Sequence, residues 1–249
     1  MSSPLGETMW ARHSGAMCVV ALALHQHPDW PIILIGNRDE FHARDSAPLH
    51  AWDDGSGIIA GRDLVGGGTW LGVVPAARRL VVVTNARGER GPDPDKVSRG
   101  VLVRDLLTAT GAFAAPDPGQ LEAFNGFNLL TVSAGDAQLL TNRPAASIRR
   151  LDAAVHALAN EVVGRDCARS ARLHGVVEAW IGAGTEPAAL FDALGRSDAP
   201  ALFLDNPVYG TRCSTLVAID ANGIGTMIER RFGADGAPGG TTEIGFNWG

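Results

Sequence analysis

Lysine is nearly absent from this chain: Lys96 is the only one among 21 basic residues, against 27 acidic residues, and the formal net charge is −6. The arginines are scattered along the sequence. A nucleic-acid partner, which needs clustered cations against its phosphates, is therefore not expected. Cysteine is scarce as well. Cys18, Cys167 and Cys213 are odd in number, far apart and free of any CxxC pair. That pattern excludes a disulfide framework and a cysteine zinc site, implies no metal, and fits a reducing cytoplasmic setting. No uninterrupted apolar run is long enough to span a bilayer. Gly66-Gly67-Gly68 lacks the Lys-Ser/Thr that completes a phosphate loop, so it reads as a tight backbone approach beside Trp70. Residues 1–16 lack the apolar stretch of a signal peptide and read as a disordered tail or a misassigned start. No internal repeat appears.

What is present describes a globular protein. The hydrophobic content of 45% suffices for a sizeable core, and residues 17–249 read as one domain. Residues 18–24 and 32–35 form a predicted strand hairpin around the turn at 25–31. Residues 57–61, 69–74 and 80–84 are predicted strands, several of them apolar throughout, which suits strands buried on both faces. Residues 98–110 change to helical spacing, with Ser98 placed to cap the start. A hairpin follows over 127–133 and 138–142, then a short strand at 155–159. Helices are predicted over 165–181 and 187–194. A third hairpin turns at Ala221-Asn222-Gly223, joining 211–220 to 223–232, and 241–248 suits an edge strand. Strands early and late, with two blocks of helix between them, give an α+β domain rather than a doubly wound parallel fold.

Cys18 opens the first strand, directly after Met17. If the α-amine of Cys18 were free, one residue would carry both a thiol nucleophile and the base that activates it. An α-amine titrates near ~8 and a thiol near ~8.5, so the two are matched at neutral pH. If the chain runs on before it, Cys18 is a small buried packing residue. Cys167, on a predicted helix, and Cys213, in a predicted strand, read as packing residues.

Polar side chains gather at the predicted strand ends. Asn37, Arg38, Asp39 and Glu40 follow the second strand, Asn85 and Arg87 follow the fifth, and Asn160 and Arg212 border later ones. Singly, asparagines at strand ends are explained by turn chemistry. As a set they fit a cysteine acylation site. Asp39 would hold or orient the amine. Asn85 and Asn160 would donate amide N–H groups to an oxyanion. Arg212 would lower the thiol pKa or bind a substrate carboxylate. Asn37, Arg38, Glu40, Trp70 and Arg87 are the expected substrate-binding residues. A papain-type site is not expected, because its cysteine opens a helix.

Several of these segments together resemble a known family. They are Met17-Cys18, Gly36-Asn37-Arg38-Asp39-Glu40-Phe41, Gly67-Gly68-Thr69-Trp70-Leu71-Gly72, Thr84-Asn85-Ala86-Arg87, Ser98-Arg99-Gly100, Gly126-Phe127-Asn128-Leu129 and Tyr209-Gly210-Thr211-Arg212. The chain resembles the NRDE family, also called the transport and Golgi organisation protein 2 family, over nearly its whole length after residue 16. That family is similar to the N-terminal nucleophile hydrolases of the choloylglycine hydrolase and penicillin V acylase group. The resemblance implies an αββα sandwich with Cys18 as nucleophile and base, Asp39 near the amine, Asn85 and Asn160 at the oxyanion, and Arg212 as the late arginine. The Pro-Trp-Pro-Lys stretch usual in the family after Asn160 is replaced here by residues 161–169. The position of the acylase arginine is held by Gly36. The resemblance also implies a second role, a non-catalytic haem- or lipid-binding trafficking factor using the same pocket. No cofactor is expected beyond haem as a possible ligand. The expected partner is a small-molecule substrate or ligand, and no oligomeric state is readable.

Overall fold

All six residues of Val19–Leu24 are buried, and they divide by alternation. Val20, Leu22 and Leu24 enter one apolar cluster, while Val19, Ala21 and Ala23 enter another. A strand apolar on both sides must lie between two packed layers. The structure, a computed structural model, describes residues 18–87, 92–134 and 136–249. The proposed tail at 1–16 and Met17 lie outside the described residues.

The strands in chain order are β1 (Val19–Leu24), β2 (Ile32–Phe41), β3 (Ser46–Ala51), β4 (Ile59–Asp63), β5 (Leu71–Val74) and β6 (Arg79–Asn85). After helix α1 (Arg99–Thr108) come β7 (Phe127–Ser133), β8 (Asp136–Thr141), β9 (Ser147–Arg150) and β10 (Val155–Leu158). Helices α2 (Ala168–Ala183) and α3 (Leu190–Leu194) precede β11 (Tyr209–Ile219), β12 (Ile224–Phe232) and β13 (Pro238–Asn247). One sheet has the order β10-β1-β2-β11-β12-β13 and the other runs β3 to β9 in sequence. Every strand pairing within the two sheets is antiparallel.

The sheets pack face to face through Val20, Leu22 and Leu34 of the first and Leu71, Leu80, Val82 and Leu130 of the second. Helices α2 and α3 cover the outer face of the first sheet with Leu173, Val177, Trp180, Phe191 and Leu194. Helix α1 covers the second with Leu102, Val103 and Leu107 against Val81, Val83 and Leu129. The result is the αββα sandwich. Burying each of these aliphatic side chains contributes roughly 1.5–3 kcal/mol, which is why three apolar layers hold four layers of backbone together.

The sequence reading and the structure differ at several points. β3 and β9 were not expected: β3 contains a proline and buries only Leu49, and β9 is largely exposed with two arginines, so neither carries a clear strand signal. Ser98 occupies the N-cap position of α1, yet its hydroxyl makes no capping bond. Cys167 is the N-cap residue of α2 rather than part of the helix. The largest difference concerns β2. The cluster Asn37–Phe41, expected beyond the strand, is its second half, and it pairs with β11 as far as Phe41 opposite Tyr209.

The glycine run does make a tight approach, and its partner is α1. A Cβ built on Gly68 would lie 2.2 Å from the carbonyl carbon and oxygen of Gly100. The Thr69 N–H also donates to the Gly100 carbonyl at 3.4 Å. This contact seats the first turn of α1 against the loop before β5. Gly68→Ala is expected to cost about 1–3 kcal/mol by overpacking, measured as a lowered urea midpoint at unchanged slope. A midpoint equal to that of the unaltered protein would show that the loop yields freely.

Candidate functional site

Period-two alternation in β2 splits the Asn-Arg-Asp-Glu run between the two faces of the first sheet. Asn37 and Asp39 turn toward the helices, and Arg38 and Glu40 line the space beside the second sheet. The Asn37 amide donates to the Leu194 and Leu202 carbonyls at 3.0 and 2.9 Å, and its oxygen accepts from the Ser214 hydroxyl at 2.6 Å. It is fully buried and absent from the cavity wall. Asn37 is thus a strut between β2 and the segment after α3, not the substrate-binding residue expected.

Asp39 is the buried hub of the site. Its Oδ2 accepts from Arg169 Nη2 at 2.9 Å and its Oδ1 from the Thr211 hydroxyl at 2.7 Å. Arg169, in the first turn of α2, also donates to the carbonyls of Ala201 and Leu202. Burial raises the Asp39 carboxyl, while Arg169, Thr211 and Arg38 pull it back down. Meanwhile the Asp39 main-chain carbonyl accepts from the Tyr209 hydroxyl at 3.0 Å and from the Cys18 thiol at 3.8 Å. So one residue locks the α2 start with its side chain and orients the thiol with its backbone.

Cys18 is 8% exposed and stands at the rim of a cavity of about 580 Å³. That volume lies within the range of small-molecule sites. Arg38, Asp39, Glu40, Trp70, Asn85 and Arg212 line the same cavity, so seven positions from opposite ends of the chain converge on it. Burial, with help from the Asp39 and Glu40 carboxylates, pushes the Cys18 thiol up to about 11, although Arg38 and the bond to Asp39 oppose this. Arg212 is held by Nη1, which lies 2.8–3.0 Å from the carbonyls of Phe41, His42 and Arg44. Glu40 sits between Arg38 at 3.6 Å and Arg44 at 3.8 Å.

Two expected site residues stand elsewhere. Asn160 is absent from the cavity wall and donates its amide N–H to the Asn85 carbonyl at 2.9 Å. It buttresses the end of β6 instead of facing the cavity. Arg87 also lies off the wall, half exposed, with Glu161 3.8 Å away. Cys213, read as packing, is buried but does line the cavity. Arg169, Tyr209, Arg99 and Arg231 also belong to the site, beyond the residues expected. Arg99 carried a signal, since it sits in the Ser98-Arg99-Gly100 motif. Arg169 carried none: it meets Asp39 only because α2 folds back across a sequence separation of 130. Among the described residues, no group of three or more His, Cys, Asp or Glu is placed to hold a metal, and no helix is long and apolar enough to cross a membrane.

Two antiparallel sheets between helical layers, with a cysteine at the head of an inner strand, have the architecture of N-terminal nucleophile hydrolases. A solved structure supports the fold: the Caenorhabditis elegans N-acylethanolamine-hydrolyzing acid amidase ortholog superposes with a TM-score of 0.50 at 11% identity, covering 80% of this chain and 92% of that one. The chain itself belongs to the transport and Golgi organisation 2 family, whose model matches residues 17–234. The Bos taurus Transport and Golgi organization protein 2 homolog is 26% identical over 257 residues, covering 86% of this chain and 92% of that protein. The Mus musculus homolog is 32% identical over 134 residues, a match that spans about half of each protein, 48% in both cases.

Proposed function

We propose that the cavity is the active site of an amidase-like hydrolase acting on a small amide or acyl substrate, with Cys18 as its nucleophile once its α-amine is free. The observation that carries this reading is the position of Cys18, at the head of β1 and on the wall of a cavity shared with Asn85, Arg38 and Arg212. In the continuous chain the Cys18 nitrogen is a peptide amide and cannot take a proton. As a free amine it would accept the thiol proton while sulfur attacks the substrate carbonyl. The Asn85 amide would donate to the oxyanion that forms. Collapse would expel the amine half with the proton held by the α-amine, leaving a thioester. Water would then attack that thioester and regenerate the thiol. Asp39, fixed by Arg169 and Thr211, would keep the Cys18 end of β1 in place.

The test follows from the raised thiol. In chain that retains residues before Cys18, alkylation of this residue by iodoacetamide is expected to quicken about tenfold per pH unit from pH 7 to pH 10, because only the thiolate reacts and half-ionisation lies near 11. In chain that begins at Cys18, the rate is expected to level off above pH ~8, once the α-amine has lost its proton and can take that of the thiol. Peptide mass mapping follows both. Identical profiles in the two forms would remove the base from the mechanism.

The same raised thiol favours a second reading for chain that keeps its extension. There the cavity would bind an apolar ligand such as haem, or a lipid, without cleaving it. Haem titration of the Cys18→Ala protein separates the readings. A Soret shift at micromolar protein supports the carrier role, and an unchanged spectrum removes haem from it.

A further inference from the structure

We infer that the cavity selects substrates carrying a carboxylate close to the scissile amide, and that Arg99 and Arg231 with Arg38 form the seat for that group. This deepens the hydrolase reading and rests on it for the word substrate, whereas the anion seat itself does not depend on turnover.

The strand register places the first part of the seat. Val19 pairs with Asn37, which sets Cys18 beside Arg38; Arg38 pairs with Cys213, and Cys213 with Arg231. Across four adjacent strands, on one face, the row is thiol, guanidinium, thiol, guanidinium. Adjacent strands lie about 4.8 Å apart, so Arg38 is the immediate neighbour of the Cys18 sulfur. Arg99 enters from the second layer, at the start of α1, held there by the Gly68–Gly100 backbone contact.

The charges are incompletely neutralised. Arg44 meets Asp63 at 2.7 Å, and Arg38 shares Glu40 with it. Arg99 donates from Nη1 to the Gly126 carbonyl at 3.0 Å, and Arg231 from Nη2 to the carbonyl and hydroxyl of Ser46. Among the described residues neither has a carboxylate partner within ion-pair distance, and their other guanidinium nitrogens carry no further bond. Glu229, on the same face, accepts the Leu49 N–H at 2.9 Å. Burial lowers the Arg99 guanidinium, and burial with repulsion from Arg38 and Arg231 lowers Arg212, as expected for cations crowded in one cavity. In a protein of net charge −6, six arginines thus line one cleft, with five carboxylates among them. A carboxylate matches the fork of a guanidinium and would relieve that crowding.

The test compares two alkylating agents of nearly equal size, iodoacetate and iodoacetamide, on the full chain. The ratio of their rates at Cys18, read by peptide mass mapping and divided by the same ratio for N-acetylcysteine, cancels the thiolate fraction. It is expected to exceed one by about tenfold at low salt and to fall toward one in molar salt, because a cationic cleft concentrates anions and salt screens it. Arg99→Gln and Arg231→Gln should each lower the ratio severalfold. A normalised ratio at or below one in the unaltered protein, or no reaction with either reagent, overturns the seat. So does a raised ratio that both substitutions and salt leave unchanged. A raised, salt-sensitive ratio in a protein that cleaves no amide would retain the seat and discard the hydrolase.

Discussion

Replacing Cys18 with alanine, in chain that begins at this residue, is expected to reduce cleavage of acyl 4-nitroanilides on the order of 10⁴-fold or more, as removal of a nucleophile does elsewhere. The size follows from chemistry, since the hydroxyls of Ser46, Thr69, Ser98 and Tyr209 on the same wall are far weaker nucleophiles than a thiolate. Cys213 lines the cavity, but it stands one strand beyond Arg38 and has no α-amine of its own; burial and the Glu229 carboxylate hold its thiol well above the ordinary range. The fold should survive, because alanine fills most of the small buried volume and the bond to the Asp39 carbonyl is long, at 3.8 Å. Steady-state kinetics, with a melting curve as control, check the expectation. A loss of less than tenfold would move the chemistry away from Cys18.

Replacing Arg169 with methionine is expected to have the largest effect on stability, about 3–5 kcal/mol. The Asp39 side chain is wholly excluded from solvent and Arg169 is its sole charged partner within 4 Å among the described residues. Removing the guanidinium strands a buried carboxylate and frees the carbonyls of Ala201 and Leu202. The pH dependence has a definite sign. The Asp39 carboxyl already lies above its ordinary value, and without Arg169 it would rise further. A carboxyl raised in the folded state favours folding when protonated, and that contribution is lost as pH rises from the unfolded value near ~4 through the folded one. The deficit relative to the unaltered protein should therefore narrow on acidification. Adding Asp39→Asn should recover part of the loss. Urea unfolding across this pH range is the measurement, and a deficit below about 1 kcal/mol would show that Arg169 is a surface pair in effect.

These residues also show what could be read without coordinates. The doubly buried strands were legible because apolar residues fill both parities, as in Val19–Leu24. The convergence of Cys18, Asp39, Asn85 and Arg212 was legible as a set, because strand ends of a sandwich meet at one edge. The separation of Asn37 from Arg38 was not. Polar residues inside a strand look like a turn, so the alternation that sends Asn37 to the helices and Arg38 to the cavity was hidden. Asn160 was misplaced for a related reason: an asparagine at a strand end can face a cavity or tie down its neighbour, and only the bond to the Asn85 carbonyl decides. Arg169 and Arg231 act across long sequence separations, with nothing local to mark them.

The catalytic roles proposed for Cys18 and Asn85 share one condition, a free α-amine on Cys18. The intact mass of the active protein tests it directly. The active chain is expected to begin at Cys18, with a mass lower than that of the full sequence by residues 1–17. Full turnover by protein that retains any residue before Cys18 would contradict the mechanism and leave the cavity as a binding site.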